Sequence, residues 1–199
     1  MIDYKIFFGG LSVLLGILGY GIYFKQIFSG KIKPHTFSWF VWGITTAIIF
    51  FAQVSKNAGA GAWAIGVVSL ACFSISIIAL FKGEKGIVFW DWIFLAVALL
   101  GIFLWWLTQD PLLAVILVSI TDAAATFPTI FKAYRKPYEE SFALFFINSL
   151  RSLISIFAIE SYSLTTVLHP AKLVVFNSIV VMVILYRRSK YQAKQSPKS

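Results

Sequence analysis

Seven long apolar runs occupy nearly the whole of this 199-residue chain, and short connections rich in Pro, Gly or charge separate them. At about 1.5 Å per helical residue, a run of about 20 residues crosses the roughly 30 Å hydrocarbon core of a bilayer. Seven such helices leave no room for a separate soluble domain. Composition agrees, with 59% hydrophobic and only 13% charged residues. A soluble fold of this length needs more polar surface than that. A soluble globular protein, a disordered chain and a nucleic-acid-binding domain are therefore excluded. The net charge of +9 does not restore nucleic acid as a partner, because the basic residues lie between apolar runs. The single cysteine, Cys72, excludes an intrachain disulfide framework and a Cys-based metal cluster.

The runs predict helices over Tyr4–Phe28, Phe37–Ser55, Gly61–Phe81, Val88–Leu107, Leu112–Phe131, Phe142–Ile159 and Pro170–Tyr186. Pro at the start of a helix is tolerated because its missing N–H would be unpaired there anyway. On this basis Pro170 opens the seventh helix, and His35 and His169 fall in loops on opposite faces. The start, Met1-Ile-Asp-Tyr-Lys, lacks a basic n-region and no small-residue cleavage motif follows, so the first helix is expected to be retained.

Counting Lys and Arg orients the chain. The face with loops 1–2, 3–4 and 5–6 and the C-terminus carries 13, the other face carries 3, and Arg151 lies inside a helix. Lys and Arg favour the cytoplasmic side. The N-terminus is expected outside and the C-terminus in the cytoplasm, in a multi-pass protein of a plasma membrane such as a bacterial inner membrane.

Sliding the chain on itself by 103 residues aligns Tyr23–Lys56 without gaps, with seven identities in 34 positions. The identities cluster around Lys33-Pro34 and Lys136-Pro137. Helices 1–3 thus match helices 5–7, and helix 4 connects them. Both units start outside, so they are parallel repeats, an arrangement suited to a central site between two bundles. The expected fold is an all-α membrane protein of seven transmembrane helices in two parallel three-helix-bundle repeats. Repeat one spans 1–86, the connector helix 87–108, repeat two 109–187, and a basic disordered cytoplasmic tail 188–199. That tail suits anionic lipid.

A 3+1+3 arrangement with an external N-terminus resembles the SWEET sugar transporter and PQ-loop superfamily. The Pro-Gln position of that family, near the inner end of the first helix of each repeat, reads Lys25-Gln26 in one repeat and Pro128-Thr129 in the other. The resemblance implies transport of sugars, amino acids or vitamins, or a cargo-receptor role on the same fold. It also implies a sugar-contacting Asn in the third helix of a repeat, which carries over to Asn177; its counterpart is Ser74. The Trp39-Phe-Val-Trp42 run resembles the Trp-x-x-Trp pair of nicotinamide riboside transporters.

Mid-helix polar residues are the expected site. Asp122 lies about halfway along helix 5, where a charge costs about 2.5–3.5 kcal/mol on insertion scales. Arg151, near the middle of helix 6, is its expected partner, either as a lock that breaks on substrate binding or as a clamp for an anionic group. Asn148, matched by Thr45, lies one turn from Arg151. Gly16, Gly19, Tyr23 and Gln26 share one face of helix 1, and Ser119, Asp122, Thr126 and Thr129 share the matching face of helix 5. Pro128 is a candidate hinge, and Trp42 a candidate stacking residue. Glu160 and Lys56 are expected near the outer ends, in solvent, and Lys172 at the outer end of helix 7.

These features predict a transporter of a small polar solute by alternating access, proton-coupled if Asp122 titrates and a uniporter if it does not. The alternative is a ligand receptor or sorting protein that moves nothing across. A homo-oligomer is compatible with either. An intramembrane enzyme is disfavoured by the lack of a Gly-x-Ser-x-Gly elbow, of paired mid-membrane carboxylates, of a His in a helix core and of a Cys pair. No cofactor or metal is expected.

Overall fold

A computed structural model describes residues 3–31, 34–83, 89–138, 140 and 142–195, apart from the side chains of 90, 91, 94, 125, 127, 128, 132 and 192–195. The described residues are all-helical in seven α-helices: α1 (Tyr4–Phe28), α2 (Thr36–Ser55), α3 (Trp63–Lys82), α4 (Phe89–Thr108), α5 (Leu112–Arg135), α6 (Phe142–Phe157) and α7 (Leu164–Gln195), with a 3-10 turn (Gly59–Ala62) leading into α3. Five of them, α1, α2, α3 with its turn, α5 and α7, are long and apolar enough to cross a membrane. The apolar stretch Leu95–Thr108 of α4, and α6, are shorter.

Local chemistry explains the boundaries. The Asp3 carboxylate accepts from the Lys5 N–H at 2.9 Å and caps α1. His35 Nδ1 accepts from the Ser38 N–H at 3.3 Å and caps α2. Asp110 Oδ1 takes the Leu112 N–H at 3.2 Å at the start of α5. Each supplies an acceptor to a first-turn donor that the helix cannot satisfy itself.

The seventh helix departs from the expectation at both ends. It starts at Leu164, six residues before Pro170, because Ser163 and Thr166 form a reciprocal cap. The Ser163 N–H reaches Thr166 Oγ1 at 2.9 Å, and the Thr166 N–H reaches Ser163 Oγ at 3.3 Å. Pro170 is therefore interior. His169 is accordingly helical and buried, not in a loop. At the other end the helix runs through residues 188–195, where a disordered tail was expected. Arg187 Nε donates to the Tyr134 carbonyl at 2.7 Å, and Arg188 donates to the Pro137 and Glu140 carbonyls, both at 3.1 Å. The basic end of α7 thus clamps the α5–α6 connection.

The seven helices sort into two triples. In the first, α3 packs against both α1 and α2; in the second, α7 packs against both α5 and α6. The triples meet mainly through α1 on α6 and α2 on α5, and α4 bridges α2 and α5. Glycine permits the closest approaches. A Cβ at Gly43 would sit 2.8 Å from the Phe73 ring, and one at Gly66 would sit 2.9 Å from Phe50.

The buried interior mixes apolar side chains such as Ile49, Ile75 and Ile184 with polar ones. Leu70, Ile77, Phe81, Ile120 and Met182 are exposed, whereas Ser12, Gln53, Ser69, Ser76, Arg151, Ser152 and Asn177 are buried. Polar groups turned inward and large apolar groups turned outward suit a lipid surround. Hydroxyls tie the layers together: Ser69 Oγ donates to the Gly43 carbonyl at 3.1 Å, Ser76 Oγ to Thr36 at 3.0 Å, and the Ser149 and Ser178 hydroxyls lie 2.8 Å apart.

Candidate functional site

A cavity of about 460 Å³ lies between the two triples. The first triple lines it with Tyr20 and Tyr23 of α1, Trp39, Trp42, Thr45 and Thr46 of α2, and Ile65, Val68 and Cys72 of α3. The second lines it with Asp122, Thr126 and Thr129 of α5, Asn148 and Arg151 of α6, and His169, Leu173 and Asn177 of α7. It extends to Pro34 and His35 in the α1–α2 connection.

The opposite end of the bundle is closed where the two triples touch. The Glu160 N–H donates to the Ala58 carbonyl at 3.0 Å, and the Ser161 N–H to the Asn57 carbonyl at 3.2 Å. These are the α6–α7 and α2–α3 connections, and Asn57 and Glu160 are separated by the 103 residues of the self-alignment. Glycine makes the contact possible. Gly59 has φ +59° and abuts the Glu160 side chain, and a Cβ at Gly61 would lie 2.9 Å from Ile159 Cα. Gln53 Nε2 adds a buried bond to the Thr166 carbonyl at 3.0 Å.

Asp122 does not pair with Arg151. Its partner is Lys172, whose Nζ donates directly to Asp122 Oδ2. Helix α7 begins earlier than expected, so Lys172 sits eight residues inside it, at the depth of Asp122, rather than at the outer end. Lys172 is 8% exposed and Asp122 is 26% exposed toward the cavity. Arg151 is buried, 4% exposed, and makes no hydrogen bond or ion pair with the described residues. Its stem lies over Gly16, where a Cβ would come within 3.3 Å of Arg151 Cδ.

The two small-and-polar stripes both reach the cavity, at Tyr23 and its counterpart Thr126, and differ at their small residues. On α1, Gly16 and Gly19 pack against Arg151 and Ile147 of α6. On α5, Asp122, Thr126 and Thr129 face the cavity. Gln26 is not among the lining residues. Its carbonyl accepts the Ser29 hydroxyl at 3.1 Å and the Lys31 N–H at 3.0 Å, so it shapes the end of α1. Pro128 lies within α5, but its side chain is outside the described residues, and the hinge reading falls there with it.

Asn148, Asn177, Thr45 and Trp42 reach the cavity as expected. Ser74 does not. It is exposed on α3, and its hydroxyl donates to the Leu70 carbonyl at 2.8 Å. The reason is helical phase. The cavity-facing pairs Val68/Cys72 and Leu173/Asn177 are 105 residues apart rather than 103. Two residues rotate a position by about 200°, which carries Ser74 to the outer face.

No family model matches this chain, and neither a curated protein nor a solved structure does. The chemistry of the cavity must therefore be read from its own residues. Tyr20, Tyr23, Trp39 and Trp42 form an aromatic wall. The Tyr23 and Trp39 centroids lie 5.0 Å apart, and Trp39 meets Trp42 at 5.0 Å and 88°. Among the described residues no group of three His, Cys, Asp or Glu is placed to hold a metal ion. His169 is buried, with Nδ1 lacking a partner.

His169, Lys172 and Tyr20 were missed from sequence. A Pro at position 170 reads as a helix start, which placed His169 in a loop and Lys172 at a rim. The Ser163-x-x-Thr166 cap was the available signal for the earlier start. Tyr20 carried no comparable signal, because an aromatic residue in an apolar run is ordinarily packing. Lys56 is exposed and pairs with Asp110 at 3.4 Å, and the exposed Glu160 serves the closed end through its backbone.

Proposed function

We propose that the chain is a membrane transporter of a small polar solute, working by alternating access between the two helix triples. The observation that carries this reading is the shape of the central cavity. It lies between the triples at the depth of Asp122 and Arg151, extends toward Pro34 and His35, and is shut at the far end by paired connections. A transporter resting with one side accessible has this form. The matching packing order, with the third helix of each triple between the first and second, supports the reading of two parallel repeats. The resemblance to the SWEET and PQ-loop superfamily rests on the 3+1+3 arrangement and on Gln26 and Pro128 at the Pro-Gln positions. The charge bias of the connections supports a cytoplasmic position for the Pro34 and His35 end.

In this mechanism the two connections at Ala58 and Glu160 part as the triples rock, and the end at His35 closes. Asp122 stands between the cavity and Lys172. A proton or a cationic group arriving at Asp122 competes with Lys172, and the tie between α5 and α7 loosens. Proton coupling would act through that pair.

Reconstituted into liposomes, the full chain is expected to exchange at least one labelled solute from a panel of sugars, amino acids, carboxylates and nucleosides. An imposed pH gradient should drive accumulation of that solute. Binding of a panel member without any flux would overturn transport and favour a receptor of the same fold.

A further inference from the structure

We infer that the solute held in the cavity is an organic monocarboxylate, its carboxylate docked on Arg151 and its flat apolar body against Trp39 and Trp42. The inference deepens the transport proposal and rests on reading the cavity as a solute site.

Arg151 carries the argument. It lines the cavity, is 4% exposed, and its guanidinium has no hydrogen-bond or ion-pair partner among the described residues. Buried charges are ordinarily paired, because an isolated ion in a low-dielectric surround is costly. A guanidinium presents five donors in a planar fork that fits a carboxylate bidentately. Arg151 lines the cavity with its Nε buried and unpartnered.

The charge ledger narrows the class. Asp122 is committed to Lys172, so these two cancel and Arg151 leaves the cavity with one uncompensated positive charge. That balances one negative charge. A phosphate monoester, with a charge near two at neutral pH, would need a second cation, and Lys172 is already engaged.

Four of the other polar lining side chains are spent as donors within their own helices. Thr45 and Thr46 donate to the Trp42 carbonyl at 3.1 and 2.6 Å, Thr126 donates to the Asp122 carbonyl at 2.9 Å, and Asn177 Nδ2 donates to the Leu173 carbonyl at 2.7 Å. A polyol needs many donors and acceptors spread over its surface. What sets this cavity apart from a polyol site is the unpaired cation Arg151 together with aromatic faces that meet at 88°. A volume of about 460 Å³ holds a body of one or two rings.

The test is ligand-dependent melting of the purified full chain at neutral pH. The probes are benzoate and indole-3-acetate, their uncharged partners benzamide and indole-3-acetamide, phenyl phosphate, and glucose. The carboxylates are expected to raise Tm by about 2–4 °C near saturation, and the amides and glucose to leave it unchanged. Arg151→Lys keeps the charge but loses the fork, so the apparent affinity should fall about tenfold. Arg151→Gln should melt at or above the wild type without ligand, because it removes an unpaired buried charge, and should lose the response altogether. Equal shifts with the amides, a stronger shift with phenyl phosphate, or a carboxylate response that survives in Arg151→Gln would each overturn the assignment. So would a low-melting Arg151→Gln whose Arg151→Lys counterpart responds to carboxylates as the wild type does. Stabilisation by glucose alone would overturn it too, while leaving the transport proposal standing. If no probe shifts Tm the assignment fails as well, and the flux assay judges transport separately.

Discussion

Gln53 Nε2 donates to the Thr166 carbonyl oxygen at 3.0 Å in the buried interior, joining α2 of the first triple to α7 of the second. That carbonyl is free because Pro170, four residues on, has no N–H to return to it. In lipid an unpaired backbone carbonyl must find a partner from a neighbouring helix, and Gln53 supplies one. Gln53→Leu should therefore cost about 1–2 kcal/mol. In a Pro170→Ala background the helix satisfies Thr166 itself, and the same substitution should cost less than half as much. Thermal melts of the four proteins measure this, and equal costs in both backgrounds would refute it.

Asp122 and Lys172 form a second coupled pair, within one triple. Asp122→Asn and Lys172→Gln should each destabilise by about 3 kcal/mol, the low end for breaking a buried pair, since Asp122 is 26% exposed to the cavity. The double variant should recover most of that loss, because no unpaired charge remains. Additive losses in a double-mutant cycle would show that the two groups act independently.

The closed end depends on close backbone approach. At Gly61 a Cβ would lie 2.6 Å from Ile159 Cγ1 and 2.9 Å from Ile159 Cα. Gly61→Val should force the two connections apart and cost about 1–3 kcal/mol from overpacking. Cys72 is the only cysteine in the chain; it lines the cavity at 2% exposure. In vesicles of defined orientation, a membrane-impermeant thiol reagent on the Gly61 side should modify Cys72 several-fold faster in Gly61→Val than in the wild type. Unchanged labelling would mean that this contact does not govern access.

Lys56 and Asp110 provide a contrast. Their side chains are 41% and 51% exposed and lie 3.4 Å apart. Such a pair in water contributes little. Lys56→Ala should shift stability by less than about 0.5 kcal/mol, as read by the same melts. A loss of several times that amount would show the connection to be more rigid than its exposure implies.

Much of the architecture was legible in the sequence because lipid imposes a simple rule. A run of apolar residues long enough to cross the bilayer has to satisfy its own backbone, and helices do so. The extents of α1 and α2 followed to within one residue from Tyr4–Phe28 and Phe37–Ser55. Asn148, Asn177, Thr45, Trp42, Asp122, Arg151 and Thr129 were recognisable because polar or aromatic groups at such depth need a reason. Pairing was not legible. Asp122 and Arg151 are the conspicuous opposite charges along the chain, yet Lys172 is what faces Asp122. The 103-residue match also failed to predict Ser74, since two further residues change the phase of the third helix.

The sequence by itself determined the number and kind of the elements, because hydrophobic length and helix caps act locally. It also placed charge and polarity at the middle of α5 and α6. Tertiary structure decided which of those groups meet. A helical position turns by about 100° per residue, so partners depend on where each helix starts and on how closely its neighbour approaches. Those were set by the Ser163–Thr166 cap, by the carbonyl that Pro170 frees, and by glycines at 16 and 61. With that phase established, Lys172 engages Asp122, Gln53 engages Thr166, and Arg151 is left facing an open cavity.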